Sequence, residues 1–184
     1  MIVVVLNEDR YAYDIHSLVK AFYPEQEVKV FVQGEKDLKS DAGLPAFFVR
    51  FEPEAITAGY QMIPKETKEP GAAKENRVVL TDPKDRIAVK NELKRLLYGL
   101  LSQETKKQLP WGTLTGIRPT KIAMQLLEQG KTLQETQTYM EETYLASQEK
   151  AGLSVDIALR EQQILSGIHY EKGYSLYIGI PFCP

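Results

Sequence analysis

Five stretches in the first eighty residues carry the pattern of a strand and only one carries that of a helix, and their order constrains the fold most. Residues 1–6 are short, β-branched and continuously apolar, as in a buried strand. Asn7 and Asp9 are helix-start residue types. Ile15, Leu18, Val19 and Phe22 then recur at i, i+3, i+4 and i+7, the stripe of an amphipathic helix that Pro24 stops. Val28, Val30 and Val32 alternate with Lys29 and Gln33, as in a half-buried strand. Residues 34–45 are polar and loop-like. Phe47, Val49 and Phe51 alternate again, and 56–63 follows as a strand after a turn near Pro53. Residues 65–76 are charged, contain Pro-Gly-Ala-Ala and read as a hairpin tip before a short strand at 78–80. The order β-α-β-β-β-β lacks a regular βαβ alternation. It predicts an α+β fold, a mostly antiparallel sheet with helices on one face.

The pattern then changes period. Asp82-Pro83-Lys84-Asp85 reads as a helix start with proline at the first helical position. The helix after it carries Val89, Leu93, Leu96, Leu97 and Leu100 on one face, with Lys84, Lys90, Lys94 and Arg95 largely elsewhere. Gln108-Leu109-Pro110-Trp111-Gly112 breaks it, and Trp111 suits an anchor at a boundary. Beyond lie three helices. One runs from Pro119 to Leu127 with Gly130 as its stop. A second follows the capping box Thr132-Leu133-Gln134-Glu135 and reaches about Leu145. A third starts at Ser147, with Ala151, Val155, Ala158 and Leu165 on its stripe and Gly152 weakening it locally. A last apolar strand begins at Ser175. The expected organisation is an α+β domain over 1–110, a helical region over 111–173 and a separate strand over 174–184.

An apolar fraction of 43% and a charged fraction of 26% are ordinary for a globular protein. No apolar run approaches the ~20 residues of a membrane span. One cysteine allows no internal disulfide, which fits a cytoplasmic protein. The net charge of -2 makes nucleic acid an unlikely partner, yet the charge is unevenly spread. Residues 84–121 hold nine basic and three acidic side chains, a local +6 between two acidic flanks. Within that block, Thr115-Gly116-Ile117-Arg118-Pro119-Thr120-Lys121 is a glycine turn feeding a helix start. Arg118 and Lys121 beside it suit an anion contact, or else Arg118 ties the loop to a neighbouring part. His16, His169 and the pair Glu141-Glu142 read as solvated.

The C-terminal run Tyr177-Ile178-Gly179-Ile180-Pro181-Phe182-Cys183 resembles the entry to the core of the radical S-adenosylmethionine family of oxygen-independent coproporphyrinogen III oxidases (HemN-like). Gly179 stands where that family usually has histidine. Together with Trp111-Gly112-Thr113-Leu114-Thr115-Gly116-Ile117-Arg118-Pro119-Thr120-Lys121, the run is similar to the HemZ branch, which has a long region before the core. The resemblance implies that 174–184 is the first strand of a truncated radical-SAM barrel and that the chain is the N-terminal part of a longer enzyme. It implies Cys183 as the first of three thiolate ligands of a [4Fe-4S] cluster, with Tyr177 near the cluster and S-adenosylmethionine. The longer protein would then oxidatively decarboxylate porphyrinogen propionates to vinyls in haem biosynthesis, drawing on an electron donor. With one cysteine of three, this chain is expected to bind neither cofactor and to hold no catalytic residue. Two other functions are compatible with the sequence: a haem-binding or haem-delivery relative, or a module that binds RNA or an acidic protein through Lys90, Lys94 and Arg95. The strand at 175–180, without partner strands, is expected to lie on the chain's own surface or pair with a second copy.

Overall fold

The computed structural model describes residues 1–32, 45–62, 74–116, 118–168, 172–174 and 176–179. It is an α+β structure. The strands are β1 (Ile2–Leu6), β2 (Val28–Val32), β3 (Pro45–Phe51), β4 (Ala55–Met62) and β5 (Lys74–Val79), with the helix α1 (Ala12–Phe22) between the first two. Four helices follow: α2 (Arg86–Thr105), α3 (Pro119–Glu128), α4 (Leu133–Tyr144) and α5 (Gln148–Ser166). The sheet order is β2-β1-β3-β4-β5. β1 runs parallel to both of its neighbours, while the longer β3, β4 and β5 form an antiparallel meander. The antiparallel pairing thus outweighs the parallel, and the parallel part is the single β1-α1-β2 crossover with β3 on the far side of β1.

Alternation along the strands decides which face the helices cover. Ile2, Val4, Leu6, Phe47, Val49, Ile56 and Ala58 point to one side and meet Ile15, Leu18 and Phe22 of α1 and Val89, Leu93, Leu97 and Leu101 of α2. Successive strand side chains alternate and helical ones recur every three or four residues, so this single layer closes on the periods already visible in the sequence. Phe22 and Tyr98 meet edge to face across the two helices, with ring centroids 5.2 Å apart. A second, smaller core lies among α3, α4 and α5, built on Ala123, Met140, Ala151, Val155 and Ala158.

Several helix signals play a different part from the one expected of them. Neither Asn7 nor Asp9 caps α1, whose N-cap is Tyr11 with no side-chain cap bond. Asn7 instead bonds the backbone of Phe51 in both directions, at 2.9 Å each way, and so locks the end of β1 to β3. Asp82 accepts from the amide of Lys84 in a turn, and α2 starts later, with Asp85 as N-cap accepting from Ile87 and Ala88. The charged stretch before β5 is shorter than expected, since residues 74–76 belong to that strand. Thr132 and Glu135 form the capping box as read. Ser147 caps α5 by accepting from Lys150, and Gly152 leaves that helix unbroken. Of the expected loop at 34–45 and hairpin tip at 65–76, residues 34–44 and 65–73 lie outside the described residues. Of the expected final strand, residues 176–179 are described; they carry no strand pairing, and Leu176, Tyr177 and Ile178 are exposed.

Candidate functional site

The feature with the makings of a site is a cleft of about 440 Å³ where α1 and α2 meet the turn after α2 and the start of α3. Its charged wall follows from helix geometry. Lys90 and Lys94 are four residues apart on α2 and therefore share a face, beside the core stripe of Val89, Leu93 and Leu97. Asp14 sits one position before the buried Ile15 on α1. Packing the two apolar stripes together brings these flanking positions together along one edge of the seam. Lys90 Nζ lies 2.8 Å from Asp14 Oδ1 and Lys94 Nζ lies 4.0 Å from it.

Lys94 is the unusual member. It is 8% exposed, against the expectation that it would fall on the polar side of α2. The turn after α2 covers it, and its ammonium donates to Thr115 Oγ1 at 3.3 Å. Burial holds its pKa below the ordinary lysine value; the charge of Asp14 works against that shift and that of Lys90 adds to it. No other acceptor lies within hydrogen-bond distance of this ammonium among the described residues, and Lys94 is one of the residues that line the cleft.

The opposite wall comes from the segment 113–115 and from α3 and α4. Thr113 is fixed by the carbonyl of Tyr144, which accepts from its amide at 2.7 Å and from its hydroxyl at 3.2 Å. That contact depends on Gly112, which has φ +55; a Cβ there would sit 2.0 Å from the Tyr144 carbonyl oxygen. Asn91, Gln125 and Tyr144 add polar groups. Burial raises the Tyr144 phenol pKa, with Tyr139 adding to the shift, so the phenol is a neutral hydrogen-bonding group. Tyr13, Ile87, Leu114 and Ile122 supply apolar surface, and Tyr13 and Ile87 are exposed at the rim. The arrangement can hold an anion beside a desolvated ammonium with an apolar body against the rim. It offers no nucleophile paired with a base.

Of the residues singled out from the sequence, Lys90, Lys94 and Thr115 line this cleft, and Arg118, Lys121 and Tyr177 do not. Arg118 is exposed, donates to Thr120 Oγ1 at 3.2 Å and pairs with Glu161 of α5. Lys121 is exposed on α3. Tyr177 is 91% exposed. Cys183 and His169 lie outside the described residues, and His16 is half-buried on α1. Arg95 pairs with Glu92 and donates to the carbonyl of Glu142 at 3.3 Å. Arg95 is thus matched, whereas Lys90 and Lys94 share the single carboxylate of Asp14. The local +6 of residues 84–121 signalled the lysines of the cleft, but Asp14, far off in sequence, gave no signal. Among the described residues no group of His, Cys, Asp and Glu is placed to hold a metal ion, and no described helix is long and apolar enough to cross a membrane.

Fold and cleft together define an α+β unit with a helical extension and a net-positive cleft at the join. The comparisons narrow this. The chain is similar to the "Oxygen-independent coproporphyrinogen-III oxidase-like protein HemZ" of Bacillus subtilis (strain 168), at 28% identity over 184 residues that span 97% of this chain. The resemblance to the HemZ branch is thus borne out well beyond the two motifs that first carried it. The match spans only 35% of the length of that relative. No family model and no solved structure matches the chain.

Proposed function

We propose that this chain is the N-terminal accessory region of a cytoplasmic, oxygen-independent coproporphyrinogen III oxidase-like enzyme of the radical S-adenosylmethionine class, which converts propionates to vinyls in haem biosynthesis. The observation that carries this reading is the similarity to a HemZ protein along 97% of the chain. The run ending in Cys183 supports it, as the first thiolate of a [4Fe-4S] ligand set with Tyr177 near the S-adenosylmethionine. The residues present do not themselves fit such a cluster. A cluster of this kind takes several cysteine thiolates, and the chain has one. The oxidative chemistry is therefore assigned to the longer protein, and the chain alone is expected to be inactive. What its own residues supply is a folded platform, with Arg118 pinning the segment before α3 to α5.

The test is to express the longer protein anaerobically, reconstitute its cluster and assay decarboxylation of coproporphyrinogen III. Carbon dioxide release and vinyl formation are the expected result. A cluster-replete preparation with no turnover overturns the reading, and tight haem binding by that same preparation would move it to haem delivery.

A further inference from the structure

We propose that the cleft between α1, α2 and the segment 113–115 is a binding site for a small organic monoanion, a carboxylate on a short apolar body. This goes beyond the oxidative function proposed above and rests on none of it.

Charge sets the valence of the ligand. The lining holds two lysines and one aspartate, so one positive charge is left over. Lys90 neutralises Asp14 at 2.8 Å, and Lys94 keeps its charge 4.0 Å from that carboxylate. A buried ammonium with one protein acceptor is costly unless an anion or further acceptors complete its shell. A carboxylate is short and planar, and it accepts from two donors at once; Lys94 with Asn91 or Thr115 beside it offers such a set. A phosphate dianion would be only half neutralised here. The size fits as well, since a cleft of about 440 Å³ lies within the roughly 300–1,000 Å³ range of small-molecule sites. Leu114, Ile122 and the exposed Ile87 and Tyr13 give an apolar body something to lie against.

The experiment is a titration of the chain followed by amide NMR shifts of Thr113–Thr115 and the Asn91 side chain. The probes are hexanoate and benzoate, their neutral amides hexanamide and benzamide, and inorganic phosphate. Saturable shifts with a carboxylate, at least about tenfold tighter than with its amide, are expected. Two variants set the direction. Lys90→Gln leaves Asp14 and Lys94 one to one, and should weaken the carboxylate about tenfold. Asp14→Asn raises the excess to two charges and should tighten it. Lys90 is half exposed, so its variant keeps the fold even if changes at Lys94 do not. If the three charges only brace α1 against α2, both variants lower the melting temperature and affinity does not move in opposite directions. That outcome overturns the proposal, as do amides binding as well as acids, phosphate binding more tightly than either carboxylate, or no saturable shift with any probe.

Discussion

Lys94 shows how one residue departs from its sequence pattern for a physical reason. On a helical wheel it sits just off the apolar stripe of α2, where a lysine normally extends into water. The segment after α2 instead brings Thr115 within hydrogen-bond distance of its ammonium, and the side chain is buried. Its folded-state pKa is lowered, first by burial, from an unfolded value of 10.5. The sign of the pH dependence follows. Below the lowered pKa both states are charged, and the folded state carries the full desolvation cost. As pH rises from there towards 10.5, the folded state gives up its proton first and that cost disappears. Lys94→Met, which removes the ammonium while leaving Asp14 paired with Lys90, should therefore be as stable as the parent or more stable at pH 7. The difference should shrink as pH approaches 10.5. Denaturant melts of both proteins at the two pH values measure it, and a gap that widens with pH would contradict the account.

Among the elements, the short-range signals that were read correctly are those with both partners close in sequence. The Thr132–Glu135 box closes within three residues: Glu135 N donates to Thr132 Oγ1 at 3.2 Å, and Thr132 N to Glu135 Oε2 at 2.8 Å. Thr132→Ala should cost about 1 kcal/mol, as loss of an N-cap typically does, and a Thr132→Ser control should recover most of it. Chemical denaturation reads the difference; equal stability of the alanine and serine variants would show the cap to be idle. A signal whose partner is distant in sequence was misread at Asn7, and a local one at Asp82. Asn7 is an excellent cap type, but its amide side chain is committed to Phe51, 44 residues away. Asp82-Pro83 resembles a helix start because the same residue types build the turn that precedes one. The α+β class was visible, with β2 and β3 legible as alternation and β1 as a continuous β-branched run, whereas the first half of β5 was read as part of a hairpin tip. The placement of β3 on the far side of β1 was not visible, because side-chain alternation specifies a face and not a neighbour. The cleft was half legible. Its lysines stood out as excess charge, whereas its aspartate and threonines are brought in only by tertiary packing.

For the molecule as a whole, the two cores differ in strength, and this determines what each part can do alone. The core over the sheet includes Phe22, Phe47, Ile15, Leu18, Leu93, Leu97 and Leu101, all fully buried. The core among α3, α4 and α5 has six buried members, four of them alanines, with Met140 the one large side chain. Burial contributes roughly 25 cal/mol per Å² of apolar surface, so an alanine-based core stabilises its helices weakly. A chain of about 70 residues with such a core and no disulfide is marginal. The helical part instead leans on the first core. Leu145 packs against it, and Arg95 of α2 donates to the carbonyl of Glu142 of α4. Cutting at the join should therefore have unequal effects. Residues 1–110 should keep their sheet and melt cooperatively, whereas residues 111–184 should show weak helicity and a broad, non-cooperative melt by circular dichroism. A sharp transition in the isolated helical piece would show that its packing is self-sufficient. In that case the cleft, whose two walls come from the two parts, would sit on a joint free to open, and a ligand bridging Lys94 and the segment 113–115 would act as the clamp across it.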